Sequence, residues 1–129
     1  MNHKQLDAST LDFYRTLNAI ATPILLTDSD YRHLFRNSAF QEQIGYNVDE
    51  VHDRKTWLEK MFADISYRDE ATRQWDELLR KATSENECHI KLLTRILCKN
   101  NQYRWYEIHE CQLESYKVIT FLDADRTQK

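Results

Sequence analysis

The chain has 129 residues, 41% of them hydrophobic and 30% charged, and balances 18 Lys and Arg against 21 Asp and Glu for a net charge of −3. That length and apolar content suffice for one buried core without a disulfide staple, and a slightly acidic balance with no basic, aromatic-interleaved cluster argues against a nucleic-acid surface. No apolar run approaches the ~20 residues that cross a bilayer, and the polar opening MNHKQLDAST lacks a signal-peptide core, so no membrane association is expected and a cytoplasmic location is.

In chain order, Ser9 or Thr10 is placed to cap a helix that carries Leu11, Tyr14, Leu17 and Ala21 on one face, with Phe13 and Ile20 widening the stripe and Pro23 ending it. Ile24 to Thr27 is a short β-prone run closed by the turn cluster Asp28-Ser29-Asp30, and Tyr31 to Arg36 returns as its hairpin partner. Asn37 caps a helix from Ser38 to Ile44, which stops at Gly45, the only glycine. Asp49 and Glu50 favour the first turn of another helix, whose buried edge is Trp57, Leu58, Met61 and Phe62. A longer helix is predicted from Asp69 to about Thr83, with Ala71, Trp75, Leu78, Leu79 and Ala82 on one stripe.

Beyond SENE the pattern turns β-like. Cys88 to Leu97 and Tyr103 to Leu113 flank the turn Lys99-Asn100-Asn101-Gln102 as a long hairpin. Tyr116 to Leu122 is a third strand, with Ile119 and Phe121 on one face, and Trp105 and Tyr106 point to opposite faces of theirs. The sum is an α+β fold: a five-stranded antiparallel sheet, helices inserted between strands 2 and 3, and an N-terminal helix.

The chemistry-bearing residues are sparse. Three cysteines without CxxC spacing read as reduced thiols; His109 and Cys111, two apart on a strand, joined by Cys98 or His89, are the sharper alternative of a metal site, which lacks well-spaced ligands, so no metal is expected. No nucleophile-base pair or paired-acid constellation is evident and a single glycine excludes a phosphate-cradling loop, so no catalytic residue is assigned.

Taken together, Pro23 before an apolar strand and Asp28-Ser29-Asp30, Asn37-Ser38-Ala39-Phe40, Gly45-Tyr46 with Asp49-Glu50-Val51, Ile65-Ser66-Tyr67-Arg68-Asp69, and Tyr103-Arg104-Trp105 resemble a PAS domain, the sensory box of bacterial signalling proteins. The closing Leu122-Asp123-Ala124-Asp125-Arg126-Thr127-Gln128-Lys129 is similar to the family's exit motif, with Asp125 in place of a threonine that caps the output helix. On this resemblance residues 1–10 are a polar extension, 11–125 the sensor domain, and 126–129 the start of an output linker helix. Tyr31 departs from the pattern, standing where many members have glycine, and so do Tyr67, where proline is common, and Asn100-Asn101 in the last hairpin turn.

The resemblance implies a cavity between the inner sheet face and the helices, which the family fills with flavin, haem, small acids or nothing; the cofactor stays unknown. VHDRKTWLEKMF has no cysteine for a flavin adduct, and the long helix offers no histidine for haem, with His52 upstream at most an unusual ligand. Candidate cavity residues are His33, Phe35, Trp75, Ile119 and Phe121, with Tyr31, His33 and Phe35 sharing a face of the hairpin; Asp123 and Asp125 mark the signal exit. An inward His33 suits an anionic or hydrogen-bonding small molecule and its charge would report pH, while a histidine satisfied by a neighbouring backbone group is the plainer reading.

The implied function is a non-enzymatic sensory module that relays ligand or packing state to a C-terminal output domain, a diguanylate cyclase (GGDEF) or histidine kinase, in a homodimer formed partly by the first helix and an outward aromatic. Two alternatives stand beside it. One is a ligand-free dimerisation module. The other is a small cone-fold isomerase or dehydratase, which needs an inward pair such as His109 with Asp123.

Overall fold

The computed structural model describes residues 8–124, so Asp125 and the proposed linker at 126–129 lie outside the described residues, as do residues 1–7. Four helices, α1 (Ala8–Asn18), α2 (Ser38–Gln43), α3 (Arg54–Met61) and α4 (Ile65–Ser84), and five strands, β1 (Ile24–Asp28), β2 (His33–Arg36), β3 (His89–Leu97), β4 (Tyr103–Gln112) and β5 (Tyr116–Asp123), make up this region. The strands form one antiparallel sheet in the order β2-β1-β5-β4-β3, with α2, α3 and α4 inserted between β2 and β3 as expected.

Period-two alternation sorts the sheet. Leu25, Ile96, Tyr106, Ile108, Ile119 and Phe121 face one way and form the core with Phe40, Ile44, Val51, Met61, Phe62 and Ala71 from the helical segment. Trp57, Leu58, Tyr67 and Trp75 pack on that core half-buried, so the predicted stripe of α3 meets it, whereas that of α4 meets it through Ala71 and Trp75 and leaves Leu78, Leu79 and Ala82 half-buried outside the core cluster.

Asn37 joins the layers. It is fully buried, and its Oδ1 accepts from the backbone N–H of Ile24 (2.8 Å) and of Phe40 (3.1 Å), starting β1 and capping α2 at once. Its Nδ2 donates to the carbonyls of Leu17 and Thr22, both at 2.9 Å. Those bonds explain why α1 stops at Asn18 rather than running to Pro23: carbonyls that another turn of helix would use are taken by Asn37. At the other end, Ser9 and Thr10 are already helical rather than caps.

Two further boundaries differ from expectation. Asp49 and Glu50 do not open a helix, because Asn47 and Glu50 exchange side-chain to backbone hydrogen bonds (3.1 Å each) that close an isolated turn. The helix begins at Arg54, where Asp53 and Thr56 form a reciprocal capping box. Likewise α4 starts four residues before Asp69, since Asp64 caps it by accepting from Tyr67 N–H, and Tyr67 sits inside its first turn. The tyrosine hydroxyl there bonds Thr94 (2.8 Å) and accepts from Arg95 N–H (3.1 Å), fastening α4 to β3.

Gly45 ends α2 as predicted, at φ +91°, and a Cβ there would come within 2.9 Å of Lys99 Cβ. Both the backbone conformation and the close β3–β4 turn therefore require glycine. That turn places Asn101 at φ 70°, a value asparagine tolerates.

β2 corrects the predicted face. Leu26 pairs with Phe35 but Thr27 pairs with His33, so Leu34 is an extra, bulged residue. Tyr31, His33 and Phe35 consequently do not share a face: His33 turns toward the helical layer, while Phe35 turns to the opposite side and stacks on Tyr14 of α1, ring centroids 4.4 Å apart.

Candidate functional site

Inward positions of β1, β4 and β5 and the faces of α3 and α4 leave a cavity of about 50 Å³. Thr27, His33, Trp57, Trp75, Ile108 and Ile119 line it together with neighbours from α3 and α4, and its wall is overwhelmingly apolar. By a comparable measure a water occupies roughly 10–15 Å³, so the space takes a few waters or a very small solute, far less than the ~300–1,000 Å³ of sites that enclose a drug-sized ligand.

A polar node bounds this cavity. Glu110 and Lys117 are 2% and 6% exposed, and Lys117 Nζ donates to Glu110 Oε2 at 3.0 Å. The Tyr31 hydroxyl lies 2.8 and 2.9 Å from the two carboxylate oxygens and donates to them. The indole N–H of Trp75 reaches the same hydroxyl at 3.4 Å, and Lys117 Nζ stands 4.1 Å from the Tyr31 ring centroid in a cation–π contact. Burial and the adjacent Glu110 charge push the Tyr31 phenol up, so it stays a donor. Arg54 lies over the outer side of that ring and is paired with Asp76 of α4 at 2.7 Å.

Tyr31 reaches this place through an unusual backbone. It adopts φ +66°, a left-handed conformation that costs a non-glycine residue about 1–2 kcal/mol. Asp28 stabilises the turn by accepting from the N–H groups of Asp30 and Arg32, both at 2.9 Å, and these bonds with the Arg32 side chain hold its carboxyl below the usual range.

His33 forms the other polar edge. Arg36 cannot accept a hydrogen bond, so its contact with His33 Nδ1 (2.8 Å) makes that nitrogen the acceptor and leaves the proton on Nε2. Burial first, and then the Arg36 charge, bring the imidazole down to about 4. It is neutral near neutral pH, which removes the expected reporting of pH by its charge in that range. Arg36 donates to the carbonyls of Tyr46 and Val51 and lies over the Phe40 ring at 5.1 Å.

Of the residues singled out in the sequence, His33, Trp75 and Ile119 line the cavity. Phe121 is buried behind it, against Trp57 (centroids 5.5 Å), Phe40 and Tyr106, and Phe35 lies on the opposite face. Asp123 ends β5 and pairs with Arg104 at 3.2 Å; the next residue, Ala124, donates its N–H to the Trp105 carbonyl at 2.9 Å. Glu110 and Lys117 are not among the residues singled out in the sequence, while Trp57 and Tyr31 figure there as a helix edge and a departure from the turn pattern. Glu110 stands two residues after the inward Ile108 and Lys117 two before the inward Ile119, so strand alternation alone marks them as inward.

His109 and Asp123 are not brought together. His109 bonds Glu107 and His89, both at 2.8 Å, on the face away from the helices. Cys98 is buried in the core, apart from His109 and Cys111, and among the described residues no three His, Cys, Asp or Glu side chains cluster as a metal site.

Comparison with known proteins agrees with this geometry. The profile of the PAS fold family matches residues 17–122. Among solved structures, the chain superposes on a PAS domain from a two-component sensor histidine kinase with a TM-score of 0.64 at 16% identity, covering 90% of this chain and 99% of that one. A PAS domain from Colwellia psychrerythraea gives 0.64 at 16% identity, covering 94% and 99%. An RNA-binding light-oxygen-voltage receptor gives 0.62 at 18% identity over 95% of this chain, which spans only 36% of that receptor. No curated protein matches in sequence.

Two outcomes test the site. Tyr31→Phe keeps the ring beside Lys117 but withdraws the hydroxyl from Glu110, and urea unfolding is expected to show a loss of about 1–3 kcal/mol; unchanged stability would mean the hydroxyl does not satisfy the carboxylate. Because the folded state holds His33 at about 4 against an ordinary 6.5, the unfolded chain takes up a proton that the native imidazole refuses, and stability falls as pH drops from about 6.5 to 4. His33→Gln should flatten that part of the stability profile relative to wild type, with the carboxylate contributions common to both proteins cancelling; parallel profiles would refute a buried neutral His33.

Proposed function

Since the chain belongs to the PAS fold family, we propose that it is a non-enzymatic sensory module that converts the packing of its cavity into a signal at the end of β5. The observation that carries this reading is Trp57. Its indole lines the cavity, meets the His33 ring edge-on at 6.0 Å, and on its other side packs against Phe121 at 5.5 Å. Phe121 is two residues from Asp123, so one side chain connects the cavity wall to the strand by which the chain leaves the fold.

The signal is a small, mainly apolar solute or a change of packing that shifts the population of Trp57 and Trp75 arrangements. The recipient is an output domain beyond Asp123, of the histidine kinase or diguanylate cyclase type, in a cytoplasmic homodimer. Exposed Leu11 and Phe13 on α1 and Leu93 and Leu122 on the sheet supply apolar surface for that pairing. No described helix is long and apolar enough to cross a membrane. A second reading, a dimerisation module whose core holds no ligand, is favoured by the cavity's small volume.

Joining this chain through its C-terminus to a histidine kinase reporter separates the two. Ala71 is buried against the cavity, so Ala71→Val fills space there with little surface change. A several-fold change in autophosphorylation is expected for Ala71→Val and none for Asp69→Asn, an exposed position of α4 away from the cavity. Equal output from wild type and Ala71→Val, both folded by circular dichroism, would leave the inert scaffold standing.

A further inference from the structure

At the start of β3, outside the cavity and its polar node, stands a pair of thiols. The sulfurs of Cys88 and Cys111 lie 3.9 Å apart, with Cys88 exposed and Cys111 half-buried. The backbone fixes them there: His89 is paired with Cys111 in the β3–β4 ladder, and Gln112 N–H donates to the Cys88 carbonyl at 2.8 Å. The two cysteines are thus one register step from direct opposition. A displacement of about 5 Å across and about 3.4 Å along the strands puts their Cα atoms about 6 Å apart, inside the range a disulfide spans. The sulfurs, already 3.9 Å apart, need to approach by about 1.9 Å to reach a bond of about 2.04 Å. Cys98, the remaining cysteine, is sealed in the core at 1% exposure.

We propose that Cys88 and Cys111 form an oxidation site that closes to an intramolecular disulfide when the protein meets a low-molecular-weight disulfide of the glutathione class. Cys88, the exposed thiol, reacts first: its thiolate, having given its proton to solvent, attacks one sulfur of the small disulfide, forming a mixed disulfide and releasing one small thiolate. Cys111 then loses its proton and attacks the Cys88 sulfur; the Cys88–Cys111 bond forms, the mixed bond breaks, and the second small thiolate leaves. Two protein thiols are oxidised by two electrons and the small disulfide is reduced to two thiols, which recover the two protons. Burial and the Cys88 thiol push Cys111 up, which lowers its thiolate fraction for a first attack, while in the second step the attacked sulfur is already adjacent.

The bond has a structural consequence. Cys88 follows the C-terminal turn of α4, where Glu87 N–H bonds the Ala82 carbonyl at 2.7 Å, and Cys111 follows Glu110 of the buried node. Oxidation therefore staples the end of α4's exit turn to the strand that carries the cavity's carboxylate.

Incubating the native 129-residue chain with oxidised glutathione, alkylating under denaturing conditions and mapping peptides by mass spectrometry tests this. The expected product is monomeric, lighter by two hydrogens, with a Cys88–Cys111 cross-linked peptide and Cys98 alkylated as a free thiol; a thiol reductant restores the starting mass. Cys111→Ser should stop at a glutathione adduct on Cys88, and Cys88→Ser should leave Cys111 unmodified over the same time. A wild-type product that ends at the Cys88 adduct, links two chains, involves Cys98, or shows no reaction overturns the proposal.

Discussion

A carboxylate and an ammonium buried together on the inner face of a sheet set the terms for everything around them. Desolvating Glu110 and Lys117 costs several kcal/mol per ion, and removing either partner strands the other at a typical cost of about 3–5 kcal/mol. The pair alone satisfies one carboxylate oxygen. The rest falls to Tyr31, which must leave the β1–β2 turn in a left-handed conformation to bring its hydroxyl over the carboxylate, and to Trp75, whose indole N–H closes on that hydroxyl from α4. One polar requirement thereby joins β4, β5, the first hairpin and the longest helix, and positions the aromatic wall of the cavity.

That arrangement gives the cavity two unlike sides. Near Tyr31 and Trp75 its geometry is held by charge and hydrogen bonds, which tolerate little displacement. Near Trp57 the indole meets the rings of His33 and Phe121, and such contacts admit alternative packings at modest cost. Motion generated inside is therefore expected on the Trp57 side, which is the side connected through Phe121 to β5. The Leu34 bulge contributes as well, because it turns both His33 and Arg36 toward the helices and lets Arg36 bind the carbonyls of Tyr46 and Val51 ahead of α3.

How much of this was legible in the sequence depended on the range of the responsible interaction. Strand alternation in β4 and β5, the α3 and α4 stripes, the Asn37 cap, the Gly45 stop and the Asn101 turn are local, and each is visible within a few residues. The end of α1 was not, because a side chain twenty residues further on takes its carbonyls. Alternation assumes an unbroken ladder and so places Phe35 inward, and only pairing with β1 exposes the bulge. Tyr31 stands out locally as a departure from glycine, yet its reason, Glu110, lies two strands away across the sheet. Glu110 and Lys117 sat at inward positions in plain view; their charge disguised them as surface residues.

The central claim, that the cavity is mechanically connected to the end of β5, is open to a single measurement, since the three tryptophans report on its two ends: Trp57 and Trp75 line the cavity and the Trp105 carbonyl holds Ala124 N–H. Fluorine NMR of the protein labelled with 5-fluorotryptophan, recorded with and without dissolved xenon, which enters small apolar voids, follows all three at once. The account predicts that xenon shifts the Trp57 and Trp75 resonances and that Trp105 moves with them in proportion to occupancy. Cavity resonances that shift while Trp105 stays fixed would contradict it.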